Sequence, residues 1–299
     1  MSTSRSVVKT VLAIEQSEGA GARVHRSIGS ARLRNLSPFL MLDHFKVPQG
    51  GFPDHPHRGQ ATVTYMLQGA FQHEDSVGHA GTIEAGGVQW MTAGKGIIHA
   101  EMPVLGEGYP TPIGLQLWID LPKEHKLTQP TYQELSKAGI PSAWPEGEDG
   151  PVEIRIISGD SHGVSSPVKP LGGCWYFHFV IKEQGKQVFQ PIPKGWTTFL
   201  YIFKGSVIVN PKDERQAHES HNTLVLSAEE TEDGVALEAG SDGTEFVLIA
   251  GEPLDQTVFQ HGPFVMTDRE GIMQTIKDYQ LGQNGFENAH TWRSKIGDQ

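Results

Sequence analysis

Short runs of alternating apolar and polar residues, each closed by glycine or proline, leave this chain few ways to fold. Leu115, Leu117, Ile119 and Leu121 alternate with Gln116, Trp118 and Asp120, and Val152, Ile154 and Ile156 alternate with Glu153 and Arg155. A period of two puts every second side chain on one face, so each run reads as a half-buried strand. Residues 197–203 and 246–250 lack the alternation and read as continuous buried strands. With 35 glycines and 19 prolines in 299 residues to end these strands, the pattern predicts an all-β sandwich or barrel. One segment departs from it. Between 267 and 282, Ile272, Met273, Ile276 and Tyr279 recur at helical spacing behind Thr267 and Asp268, either of which can cap a helix. A short C-terminal helix packed on the β body is expected there.

The strands repeat. TYMLQGAF around Gly69 resembles LYIFKGSV around Gly205, an offset of 136 residues. A repeat of that length signals a duplicated domain rather than a solenoid. The stretch SKAGIPSAWPEGEDG between the copies is rich in glycine, proline and acid, as linkers are. The expected organisation is an N-terminal domain over 1–136, a linker over 137–150, and a C-terminal domain over 151–299 that ends in the helix.

Chemistry concentrates in the first copy. Asp54-His55-Pro56-His57 places two histidines at i and i+2, and Gly96-Ile97-Ile98-His99-Ala100-Glu101 places a histidine and a glutamate likewise. On strands, each pair shares a face. Two such pairs, separated by a strand over 62–67 and a turn at Gly69, can converge on one ion. Imidazole and carboxylate suit Fe(II), Zn, Mn, Cu or Ni. Shifted by 136, His55 and His57 fall on Pro191 and Pro193, and His99 and Glu101 fall on Val235 and Leu237. The second copy should therefore hold no metal. His25, His44, His73, His79, His125, His178 and His261 lack partner spacing of this kind and read as structural or surface residues.

Charge narrows the partners. The formal net charge is −11, from 35 acidic and 24 basic residues, and so acidic a body repels a phosphate backbone, which disfavours direct nucleic-acid binding. Arg23, Arg26, Arg32 and Arg34 form a local basic cluster, either the solvated edge of an early hairpin or a docking patch for an acidic partner. Cys174 is the one cysteine. It excludes an internal disulfide and a thiolate metal site and suits a reducing compartment. No apolar run reaches the ~18–20 residues of a membrane-spanning helix.

Five segments carry a resemblance: GFPDHPHRG, QWMTAGKGIIHAEMP, QPIPKGWT, VLIAGEPL and QHGPFVM. They resemble the motifs of the pirin family within the cupin superfamily, and the similarity runs over nearly the whole chain. The first cupin motif usually carries a glutamate where Thr62 stands, and the displaced Glu101 is similar to the pirin pattern. The resemblance implies two tandem cupin barrels, that is double-stranded β-helix jelly rolls, with a short C-terminal helix. It implies one Fe(II) per chain in the N-terminal barrel on His55, His57, His99 and Glu101, and a monomer. It also implies two activities. One is dioxygenation of a flavonol such as quercetin by O2, with Glu101 as catalytic base. The other is a redox-responsive co-regulator, in cytoplasm and nucleus, that binds a transcription factor through the metal-dependent N-terminal surface.

Overall fold

A computed structural model describes residues 2–213 and 215–297. The alternating runs become strands: β1 (Val7–Leu12), β2 (Ile14–Glu18), β3 (Ala22–Arg26), β4 (Phe39–Lys46), β5 (Phe52–His57), β6 (Gln60–Gln68), β7 (Ala70–Asp75), β8 (Ala80–Glu84), β9 (Val88–Thr92), β10 (Ile97–Pro103), β11 (Ile113–Asp120) and β12 (Thr131–Leu135). Further strands follow up to Phe264–Met266, and then the helix α1 (Arg269–Leu281). Asp268 caps α1 by accepting from the Gly271 amide, and Gly282 ends it in the left-handed region at φ 63°.

The chain divides into two compact units. The first barrel has a seven-stranded sheet in the order β12-β9-β6-β11-β4-β3-β2 and a four-stranded sheet in the order β5-β10-β7-β8. The second barrel repeats this plan. Its larger sheet runs β1, Asn222–Leu226, Thr197–Lys204, Thr244–Gly251, Cys174–Ile181, Val152–Ser158 and Ser142–Ala143. Both barrels are cupin-like and the fold is all-β, as expected. The repeated turn also matches: Gly69 and Gly205 both sit at φ 72°, where a side chain is strained. A Cβ on Gly69 would approach the Pro110 carbonyl to 2.7 Å.

The expected division into consecutive segments needs correction at both ends. One unit comprises Glu15–Ile28, Phe39–Lys137 and the chain from Leu254 onward, and the other comprises the chain up to Ile14, Gly29–Pro38 and Ala138–Pro253. β1 therefore closes the second barrel: Thr10 pairs with Leu224, just as β12 pairs with β9 in the first. Unpaired edge groups on Asn222–Leu226 supply the reason, because they need a partner strand. Buried Arg5 fastens this strand, donating to the carbonyls of Trp196 at 2.6 Å and Pro193 at 2.9 Å and to Thr198 Oγ1 at 2.9 Å. Before β12, Lys126 acts alike: it pairs with Asp120 and donates to the Gly59 carbonyl at 2.9 Å.

The C-terminal helix belongs to the first barrel rather than the second. Its Ile272 packs with Phe264 and Phe286 on Ile98 of β10, so apolar burial draws the segment to the strand that carries the candidate ligands. The basic cluster is partly neutralised within its own hairpin. Arg23 pairs with Glu15 at 2.6 Å, and Arg26 pairs with both Asp43 and Glu18 at 2.6 Å. Among the described residues, no helix is long and apolar enough to cross a membrane.

Candidate metal centre

β5 and β10 run antiparallel with His99 directly opposite His55 and Ile97 opposite His57. The i,i+2 spacing then brings three imidazoles to one face. Ring nitrogens of His55, His57 and His99 all lie within 4.8 Å of one another. Ring centroids are 4.4 Å apart for His55–His99, 4.9 Å for His55–His57 and 5.0 Å for His57–His99. His57 and His99 are buried and His55 is half-buried. Burial first, and the neighbouring histidines second, push the pKa values of His57 and His99 well below the usual histidine range, so both are neutral ligands at physiological pH.

The hydrogen bonds fit a cation. His55 Nδ1 lies 2.7 Å from the Pro53 carbonyl, which can only accept, so Nδ1 carries the proton and Nε2 is left with its lone pair. His57 Nδ1 lies 2.9 Å from the Gln60 side-chain amide; donation from the amide nitrogen puts the ring proton on Nε2, whereas the amide turned to present Oε1 puts it on Nδ1 and leaves Nε2 with its lone pair. Both ring nitrogens of His99 are buried without a hydrogen-bond partner. Orphaned buried polar atoms cost free energy, on the order of 1–3 kcal/mol each. A metal ion that accepts the lone pair of one of them removes its share of that cost.

Glu101 stands on the same strand, past a bulge between His99 and Glu101. Its carboxylate is buried and held by two donors: Thr64 Oγ1 to Oε1 at 2.7 Å and Gln116 Nε2 to Oε2 at 3.0 Å. The structure thus groups the three histidines closely, whereas Glu101 lies outside that group and is held by its own pair of donors. Thr64 and Gln116 face each other across β6 and β11. Next along that face, the Trp118 ring stands 5.1 Å from His57 at an interplanar angle of 90°. His73 lies opposite Glu101 in the β7–β10 register, and its Nε2 is 3.0 Å from Glu134 Oε1. His79 Nδ1 is 2.8 Å from Asp75. Thr64, Gln60, Gln116 and Trp118 escaped the sequence reading. Their signal was a polar or aromatic residue at the inward positions of an otherwise apolar strand.

The second barrel shows what the site replaces. There Val235 pairs with Gln190 as His99 pairs with His55, so Gln190 and Ile192 stand for His55 and His57. This register is one residue earlier than the offset of 136 suggested, because the segment before Gly205 is one residue longer from strand to turn. Leu200 pairs with Leu248 as Thr64 pairs with Gln116. Leu200, Leu248 and Leu237 therefore stand for Thr64, Gln116 and Glu101, and all three belong to the apolar core. Metal analysis of protein prepared with iron should accordingly give about one metal per chain and not two, since Gln190, Ile192, Val235 and Leu237, the described counterparts of the four candidate ligands, form no such set. His57→Ala should lose the metal and keep the β-type circular dichroism, because the barrel cores are apolar. Global unfolding would show instead that the ion is a structural staple.

The ligand loop is anchored from the C-terminal side. Arg58, next to His57, is buried and donates to Asp278 at 2.8 Å, to the Lys95 carbonyl at 2.6 Å and to the Asn284 carbonyl at 2.5 Å. Val265 N donates to the Arg58 carbonyl at 3.0 Å. Asp278 also accepts from Gln274, Gln283 and Asn284.

Residues 21–119 match the Pirin family, and residues 176–285 match the Pirin C-terminal cupin domain. Pirin of Mus musculus is 48% identical over 301 residues, covering all of both chains. A pirin-like protein of Solanum lycopersicum is 50% identical over 293 residues, 97% of each chain. Among solved structures, quercetin 2,3-dioxygenase from Acinetobacter baumannii superposes with a TM-score of 0.85 at 30% identity, covering 94% of this chain and 98% of that one. With a histidine cluster in the first barrel, Gln190, Ile192 and Val235 in its place in the second, and full-length similarity to named relatives, this chain belongs to the pirin family.

Proposed function

We propose that the first barrel is a mononuclear Fe(II) dioxygenase that cleaves flavonols in the manner of a quercetin 2,3-dioxygenase. The observation that carries the reading is a cluster of three imidazoles, two of them buried and neutral, on strands β5 and β10, with a buried carboxylate, Glu101, fixed by Thr64 and Gln116 on the strand that bears His99. The similarity to the Acinetobacter baumannii enzyme supports it. His55, His57 and His99 would hold the iron, and Glu101 would be its fourth ligand or the base beside it. When bound, iron supplies a Lewis acid and a one-electron redox partner for dioxygen.

The chain's own residues supply the proton handling. Glu101 Oε1 accepts from both Thr64 and Gln116, whereas Oε2 accepts from Gln116 alone. Oε2 thus has a free lone pair to take the proton of the flavonol 3-hydroxyl. Burial of His57, His99 and Glu101 excludes water from that transfer. In the net reaction one O2 enters and one carbon monoxide leaves, and the ester product has one carbon fewer and one oxygen more than the flavonol.

Iron-loaded protein mixed with quercetin in air should release carbon monoxide in step with oxygen uptake, and release none without oxygen. No release above a protein-free control would remove this reading. The same site would then be tested as a redox-responsive switch for partner binding, by comparing the Fe(II) and Fe(III) forms.

A further inference from the structure

β11 turns two residues toward the interior of the first barrel. Gln116 reaches Glu101, and Trp118 reaches His57. On the opposite face Leu115, Leu117 and Ile119 are buried. The inward pair is less enclosed: Gln116 and Trp118 are only partly buried, beside fully buried His57, His99 and Glu101. The contact with His57 is perpendicular rather than stacked, so it does not cover both faces of the indole. Apolar ring area is therefore left uncovered beside the imidazole cluster, and covering it is favourable.

The second barrel supplies a comparison within one chain. Trp118 pairs with Thr62 and Ala250 pairs with Thr198, so Ala250 is the counterpart of Trp118. Ala250 is fully buried in the apolar core. Where leucines replace the candidate site, this position is small and enclosed. Where the histidines stand, it is the largest aromatic side chain and remains partly open.

We propose that Trp118 is the aromatic wall of a ligand subsite beside the histidine cluster, and that it selects flat aromatic ligands with two adjacent oxygen donors over aliphatic chelators. The proposal rests on the reading of the cluster as a metal centre open to a small ligand. The indole carries the ring of the ligand, and the oxygen donors face the histidines and Glu101. Trp118 is thus a specificity residue, and its effect is on ligand choice rather than on metal retention.

The test uses full-length Fe(II)-loaded protein under anaerobic conditions, so that binding is read without turnover. Three probes are titrated: quercetin, 4-nitrocatechol, and acetohydroxamate, which offers two oxygens and no ring. Trp118→Leu should keep its iron, weaken both aromatic probes about tenfold or more, which is ~1.4 kcal/mol, and leave acetohydroxamate within about twofold. Trp118→Phe should restore most of the aromatic affinity. Equal weakening of all three probes, or loss of iron by both variants, would overturn the proposal and make Trp118 a structural support of the centre. Unchanged aromatic affinity in Trp118→Leu would overturn it as well. A wild-type protein that binds 4-nitrocatechol in a Trp118-dependent way but ignores quercetin would support the subsite and sink the flavonol reading alone.

Discussion

Glu101→Gln, reloaded with excess Fe(II), should still bind quercetin but release carbon monoxide at least about a hundredfold more slowly than wild type, because loss of a general base typically costs ~10²–10⁴ in rate. The substitution keeps the side chain's shape. Its carbonyl oxygen can still accept from Thr64, and its new amide group can be met by Gln116 if that amide turns to present Oε1. What disappears is the negative charge and the lone pair that takes the 3-hydroxyl proton. Steady-state carbon monoxide release, normalised to iron content, reads the effect. A fall in kcat with little change in KM identifies lost transition-state stabilisation. Wild-type-like release from the metal-loaded variant would take Glu101 out of the mechanism.

Asp278→Ala should destabilise the first barrel by ~3–5 kcal/mol, the usual cost of removing one partner of a buried ion pair. The Arg58 and Asp278 side chains are 3% and 4% exposed. The variant leaves a guanidinium buried beside Phe286, 4.6 Å from its ring centroid, with carbonyls but no counter-charge. Denaturant titration would show the loss as an earlier transition, and a value below ~1 kcal/mol would mean that Arg58 finds solvent instead. The pair also predicts an acid limb. Burial raises the Asp278 pKa, but hydrogen bonds from Arg58, then Asn284, Gln274 and Gln283, outweigh it and hold the group at about 2, below its ordinary 3.8. A pKa lower in the folded chain than in the unfolded one adds stability that is complete above 3.8 and is lost as pH falls through about 2. Asp278→Ala should therefore flatten the acid dependence of the first barrel between those values.

The histidine cluster was legible in the sequence because i,i+2 spacing on a strand is a local rule. His55, His57 and His99 needed only two strands and one pairing to meet. The helix was legible for the same reason, through the Asp268 cap and the Gly282 stop. The surroundings of the site were not. Gln116 reaches Glu101 from β11 and Thr64 reaches it from β6, and neither strand neighbours β10 within a sheet. Contacts across the two sheets of a barrel follow from closure, which no short window contains. Arg58 reads as an ordinary exposed cation until α1 returns from the far end of the chain with Asp278. The one-residue error in matching His55 and His57 to the second barrel has a similar source. An offset taken from one turn ignores the register of a neighbouring strand, and one residue of slip changes every facing side chain.

The place of β1 has a consequence for how the chain is made. β1 leaves the ribosome well before its partners, Asn222–Leu226. At synthesis rates of ~5–20 residues per second, the ~210 intervening residues take roughly 10–40 s to appear. During that interval Val7, Val8, Val11 and Leu12 are carried by a strand with no ladder to join. The first barrel also waits, since Arg58 and Ile98 meet Asp278, Ile272 and Phe286 only after roughly 190 further residues have been made. The second barrel, whose last residue is Pro253, can close before the first, which needs α1. Substitutions that hinder β1 therefore penalise the second barrel and leave the first untouched.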